Sequence, residues 1–267
     1  MHPAISINTL CLPPADFATH VERVARLGAR AISPVVSEVE EGGIANSGMA
    51  LHDAGIVVAL VTHRAFAACT APDIAAEQAK LNRSIELAAA IGAGHVLLTT
   101  GGRGELGWRE AALRFAETIQ PCVETARSAG VGLAIEPTSH LYADISLVHR
   151  LADTARVAGM AGIGVIPDLF ACWTDADLAE TIDEAGPLLS VIQVSDYVYE
   201  DRALPCRAVP GDGVIPLPDL IGRIASTGFT GFYDLEIIGP RLEREGHDAG
   251  LARAAAYITK ILEGLSE

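Results

Sequence analysis

The sequence predicts a single-domain α/β protein, a (β/α)8 barrel. Three observations carry that expectation. Short β-branched apolar runs alternate with Ala-rich stretches of helical period along the whole chain. Eight such strand–helix units fit into 267 residues, the count and size of one closed barrel. No linker, low-complexity tract or charge block interrupts the alternation, so residues 1–267 read as one domain. An open doubly wound sheet, the competing architecture, usually stops at five to seven strands.

The strands are expected at 4–10, 31–35, 57–61, 95–98, 131–135, 162–166, 190–194 and 231–237. The intervening helices are expected at 16–27, 46–54, 74–91, 108–129, 146–158, 175–185, 217–227 and 245–265. Gly55 and Gly130 each follow a helical run, where a left-handed closing residue is favoured. Pro72 with Asp73, and Pro216 with Pro218, mark helix starts, where proline costs no hydrogen bond. Gly42, Gly43 and Gly48 crowd the second helix and make it the weakest of the set.

Composition excludes several functions. Hydrophobic residues make up 50 % of the chain, enough to build a core. Lys and Arg number 19 against 34 Asp and Glu, a net charge of −15, which opposes a nucleic-acid partner. Apolar runs such as 56–61 and 131–135 are strand-length, well short of the roughly 18 residues of a spanning helix, so no membrane partner is expected. No signal peptide is recognised at the start. Cys11, Cys69, Cys122, Cys172 and Cys206 are scattered without a C-x-x-C pair, which suits reduced thiols in a cytoplasm.

In a barrel of this kind, chemistry gathers where strands hand over to loops. The last four strands end in, or carry near their ends, Glu136, Asp168, Gln193 and Glu236, all oxygen donors aimed at one mouth. Taken singly, each is an ordinary solvated strand-end residue; four in succession suggest a site. Oxygen donors suit hard, roughly octahedral cations such as Mg²⁺ or Mn²⁺, with Co²⁺ a further option. Four protein ligands leave two positions, which adjacent oxygens of a hydroxy-ketone would fill.

These segments resemble the xylose-isomerase-like barrel superfamily, specifically its sugar phosphate isomerase/epimerase group. The resemblance rests on Leu133-Ala134-Ile135-Glu136-Pro137, Gly164-Val165-Ile166-Pro167-Asp168, Val191-Ile192-Gln193-Val194-Ser195-Asp196 and Val209-Pro210-Gly211-Asp212-Gly213, followed by the 228–236 run. It covers nearly the whole chain and is most specific from about residue 130 onward. It implies one divalent cation held by Glu136, Asp168, Gln193 and Glu236, with Glu136 and Glu236 moving protons on opposite faces of the substrate. Gln193 stands where many members carry His; hydroxypyruvate isomerase and certain 3-dehydroshikimate dehydratases are similar in using glutamine. An amide oxygen is a harder ligand than imidazole and favours Mg²⁺ or Mn²⁺ over zinc. Ala171 is a second departure, because relatives often place a substrate-facing His there.

Other candidates surround this set. His63 and Arg64 follow the third strand and His140 lies four residues past Glu136; all three are expected to bind substrate. Arg207, in a lid-like loop over 197–213, is expected to clamp an oxyanion, with Arg202 a weaker competitor. Asp196 is expected to orient a ligand or the lid from behind, and Trp173 and Phe66 to wall the pocket. Gly102-Arg103-Gly104-Glu105-Leu106-Gly107 matches the dinucleotide pattern, but it falls on the fourth unit and no strand-end acid follows at the right distance for a ribose. A glycine loop framing the mouth is the favoured reading.

The expected function is a divalent-metal-dependent isomerase or epimerase of a small polyhydroxylated sugar or keto-polyol, working through an enediolate. A dehydratase acting on a cyclic keto-polyol shares the same first step and is the alternative. A non-catalytic, metal-binding barrel subunit is the alternative of another class. Assembly as a homodimer or homotetramer is a further expectation.

Overall fold

The computed structural model describes residues 1–265. Nine strand segments form eight staves: β1 (Ile5–Asn8), β2 (Ala31–Ser33), β3 (Val57–Val58), β4 (Val61–Thr62), β5 (His95–Leu98), β6 (Gly132–Ile135), β7 (Gly164–Val165), β8 (Val191–Val194) and β9 (Phe232–Leu235). All pair in parallel, in two hydrogen-bonded arcs ordered β3-β2-β1-β9-β8 and β4-β5-β6-β7. Single bridges Val35↔Thr62, Val165↔Leu189 and Asp168↔Gln193 join the arcs and close the barrel. β3 and β4 are two halves of one stave. The first half pairs with β2 and the second with β5. Ala59 N still donates to Ile32 O between them.

The two-residue period of each strand sorts side chains into two compartments. Outward-facing Ile7, Ile32, Val96, Leu98, Ile135, Ile192 and Leu235 join the helices in one continuous core. Inward-facing Leu60, Leu97, Ala134, Ile166 and Val191 pack as a separate cluster inside the barrel. The rest of the interior is polar and in part internally paired. Ser6 and Ser33 hydroxyls lie 2.8 Å apart, and Asn8 Nδ2 donates to Asp234 Oδ2 at 2.9 Å. Burial still pushes the Asp234 carboxyl up to about 6.

Several helices differ from expectation for local reasons. The expected 46–54 helix is present as Ile44–Ala54, and an additional helix, Val36–Gly42, precedes it across Gly43 at φ +76. The 108–129 stretch splits into Trp108–Thr118 and Gln120–Ala129, the second with Pro121 in its first turn. The helix expected over 146–158 runs instead over Leu151–Ala161. Thr100 Oγ1 holds Leu147 N at 2.8 Å in the preceding loop, and Asp175 caps Leu151 N at 2.8 Å. The expected 175–185 helix begins at Leu178, after a separate short helix Leu169–Cys172. The last stretch is Pro240–Glu245 and His247–Gly264, with Gly246 at φ +95 between them. No helix among the described residues is long and apolar enough to cross a membrane.

Candidate active site

Parallel register assembles the site. Gln193 on β8 lies opposite Asp234 on β9 and bridges to Asp168 beyond β7. Glu136 directly follows β6, and Glu236 follows β9 with its N–H on Val194 O at 3.1 Å. The four residues therefore stand on four adjacent staves. Glu136, Asp168 and Glu236 line a cavity of about 930 Å³, while Gln193 is fully buried.

One cation lies among these carboxylates. Arg207 grips Asp168 with two hydrogen bonds, Nη1 to Oδ1 at 2.9 Å and Nη2 to Oδ2 at 2.7 Å. Its Nη2 also lies 3.1 Å from Glu236 Oε2, and Nη1 donates to Ser195 Oγ at 3.2 Å. The guanidinium stacks over Phe170, 4.8 Å from the ring centre. Burial opposes its charge, but Asp168 and Glu236 outweigh that and raise its pKa.

Burial is the main force on the two glutamates. It raises the Glu136 carboxyl well above the usual range, with the charges of Glu236 and Asp168 adding to the effect. It brings Glu236 up to about 7, against the opposing pull of Arg207. Gln193 lowers the Glu136 pKa from close by, yet neither amide atom of Gln193 makes a well-formed hydrogen bond. A buried, unpartnered amide oxygen beside three carboxylates is a donor set that fits a hard divalent cation. Among the described residues, however, no three His, Cys, Asp or Glu side chains form a ready metal cage. The carboxylates face Arg207.

The remaining candidates divide. His140 and Arg202 line the cavity, as does Trp173. His63 and Arg64 do not. His63 follows β4 in the outward register of Val61, and its Nδ1 meets Ser84 Oγ at 2.8 Å. Both residues line a separate cavity of about 260 Å³ against the helix Ile74–Ala90. Phe66 is also misplaced as a wall; it is fully buried, edge-on to Phe115 at 6.0 Å. Asp196 holds the loop. Its carboxylate accepts from the backbone N–H of Tyr197, Gly211, Gly213 and Ile215 at 2.8–3.0 Å.

The start of the glycine-rich 102–107 loop packs against the backbone of the 144–145 segment. Gly101 N and Gly102 N donate to Ile145 O and Asp144 O at 3.0 and 3.1 Å, and a Cβ on Gly102 would meet Asp144 O at 2.6 Å. His149, Phe170 and Tyr197 line the cavity without having been singled out in the sequence. His149 fell inside the expected 146–158 helix, and only the late start of that helix frees it for the loop.

A closed parallel barrel with an acidic mouth on its last four staves defines the class. The chain belongs to the xylose isomerase-like TIM barrel family, whose model matches residues 21–261. It is 30 % identical over 129 residues to a putative hydroxypyruvate isomerase of Streptomyces coelicolor, covering 44 % of each chain. It is 24 % identical over 164 residues to fructoselysine 3-epimerase of Shigella flexneri, covering 58 % of this chain and 56 % of that protein. The chain thus spans about half the length of the curated relatives it matches. Among solved structures, a protein of Sinorhizobium meliloti 1021 superposes with TM-score 0.86 at 28 % identity, covering 97 % of this chain and 98 % of that one. The IolI protein with a bound zinc atom superposes with TM-score 0.85 at 13 % identity, covering 98 % and 99 %.

Proposed function

We propose that this protein is a divalent-cation-dependent isomerase or epimerase acting on a small hydroxy-carbonyl compound. The observation that carries the reading is the pairing of Glu136, partly buried, and Glu236, buried, around one cavity floor with Asp168, both with raised pKa values. The isomerase and epimerase named among the relatives support the same reaction class. Glu136, Asp168, Gln193 and Glu236 would hold the cation, and the zinc of the structurally similar IolI protein supports a metal in this fold. When bound, such an ion supplies Lewis acidity that polarises a carbonyl and acidifies the neighbouring C–H.

The chain's own groups supply the rest. Without a cation, burial brings the Glu236 carboxyl up to about 7, and a bound cation would favour its ionised form. One glutamate in its ionised form removes the proton beside the carbonyl; the other, protonated, returns one. Return from the opposite face to the same carbon epimerises; delivery to the neighbouring carbon isomerises. Arg207, the partly buried cation at this floor, is placed to hold substrate oxygen that becomes negative as the proton leaves. Five free cysteines suit a reducing compartment.

Incubation with candidate ketoses in D₂O tests the reading. Wild-type enzyme should place deuterium on the carbon beside the carbonyl, and Glu136→Gln and Glu236→Gln should each abolish turnover. The variant that retains wash-in identifies the residue that returns the proton in the full reaction. A product lighter by one water, with new ultraviolet absorption, would move the protein to the dehydratase alternative. Near-wild-type rates in both variants would refute the two-glutamate mechanism.

A further inference from the structure

The cavity is larger and less polar than a small sugar requires. About 930 Å³ lies at the upper end of the roughly 300–1,000 Å³ that enclose drug-sized ligands, several times what a six-carbon ketose fills. Its reactive groups sit at one end, on Glu136, Asp168, Arg207 and Glu236. Next to them, from Phe170 under the Arg207 guanidinium outward, one side of the wall is aromatic, with His140, His149 and Thr174 also lining the cavity. Phe170 and Tyr197 meet edge-on with centres 6.1 Å apart, and Trp173 tilts at 34° against Tyr197, also at 6.1 Å. Ala171 lies between Phe170 and Trp173 and also lines the cavity, adding no polar group. Leu141 and Leu204, both cavity-lining, are 61 % and 59 % exposed.

The charged groups of this wall are already engaged. Arg150 pairs with Asp177 and lies 3.9 Å from Asp175. Asp201 pairs with Arg241 at 2.6 Å, and Arg202 donates to the Tyr197 hydroxyl at 2.7 Å. That hydroxyl itself donates to Asp201 O, so Tyr197 offers its ring rather than its polar tip. A free ketose carries oxygen on every carbon. Seated against these rings, its outer hydroxyls would lose water and find ring faces, a costly exchange.

We infer that the substrate carries an apolar, flat appendage beyond its hydroxy-carbonyl head, seated against Phe170, Trp173 and Tyr197. This rests on the enolising reading above for the head and on the wall geometry for the appendage. Leu141 and Leu204 then have a reason to remain exposed at the rim, since a bound appendage covers them.

The test titrates the full chain, with Mn²⁺ present, with D-fructose, 1-O-benzyl-D-fructose, 6-O-benzyl-D-fructose and 1-O-benzylglycerol. At least one benzyl ketose should bind tenfold or more tightly than D-fructose, the gain expected from burying a phenyl ring. Trp173→Ala should reduce that ratio at least threefold. Ala171→Trp, which fills the same space by addition, provides a second variant and should reduce it as well. Equal binding of D-fructose and both benzyl ketoses overturns the proposal, as does a ratio unmoved by either variant or failure of all four compounds to bind. Binding of 1-O-benzylglycerol without deuterium exchange on any ketose would keep the appendage wall and refute the enolising reading. Exchange on D-fructose without a benzyl gain would do the reverse.

Discussion

Arg207 resolves a conflict that burial creates at the residue scale. Glu136, Asp168 and Glu236 converge in a poorly solvated space, where like charges raise one another's pKa. The guanidinium neutralises Asp168 and Glu236 through contacts of 2.7–3.1 Å. A divalent cation would need the same oxygens, so the two compete. In chelator, Arg207→Met should lose on the order of 3–5 kcal/mol, because it leaves buried carboxylates uncompensated. Added Mn²⁺ should restore much of that loss and bind the variant more tightly than wild type; urea unfolding with and without Mn²⁺, alongside calorimetric titration, reads both effects.

His63 gives a residue-scale prediction away from the site. Burial holds its pKa at about 4, below the ordinary 6.5, so the native state resists a proton that the unfolded chain accepts. Its contribution is fully present above pH 6.5 and is lost as pH falls toward 4. Allowing for partial exposure, the loss should be about 2 kcal/mol. His63→Asn should flatten this part of the pH–stability curve, measured by denaturant unfolding between pH 7 and pH 4. A slope identical to wild type would show that another group titrates there.

Among the elements, the loop after β8 is the most tightly specified. One carboxylate, Asp196, collects four backbone N–H groups and fixes the turn that returns the chain from the cavity. Gly213 is required at its centre, since a Cβ there would press into Tyr197 O and the Asp196 carboxylate. The same turn sets the base from which Arg207 reaches the floor. Asp196→Ala should therefore cost about 2–4 kcal/mol, as several charge-assisted hydrogen bonds are lost together. Hydrogen exchange should speed up at the Gly211, Gly213 and Ile215 amides well before the rest of the barrel. Uniform acceleration across the chain would mean that Asp196 supports the whole fold rather than this loop.

For the whole molecule, closure of the barrel matters most. Besides the stave shared by β3 and β4, isolated bridges join the two arcs, one of them between Asp168 and Gln193, two of the proposed cation ligands. A cation bound there would reinforce the seam as well as the site. At a free concentration about 100 times its Kd, it should stabilise the fold by roughly 2.7 kcal/mol. Thermal unfolding against Mg²⁺, Mn²⁺ and Co²⁺ should show a rise that saturates at one ion per chain; no rise with any of the three would remove the cation from the reading.

The sequence by itself determined the number of staves, their order and the strand ends that carry Glu136, Asp168, Gln193 and Glu236. Those features are local: two-residue alternation fixes which side chains face inward, and turn residues fix where strands stop. His95–Leu98 was legible to the residue for that reason. The helix Val36–Gly42 and the break at Gly246 were less legible, because glycine is tolerated within helices and only packing decides whether its positive φ is used. Tertiary structure alone paired His63 with Ser84, buried Phe66, and released His149 from a helix by capping Leu151 with a distant Asp175. It also decided what faces the carboxylates. Arg207 is 39 residues from Asp168 in the chain, and no periodicity or spacing encodes a contact made by a loop folding back across the barrel mouth.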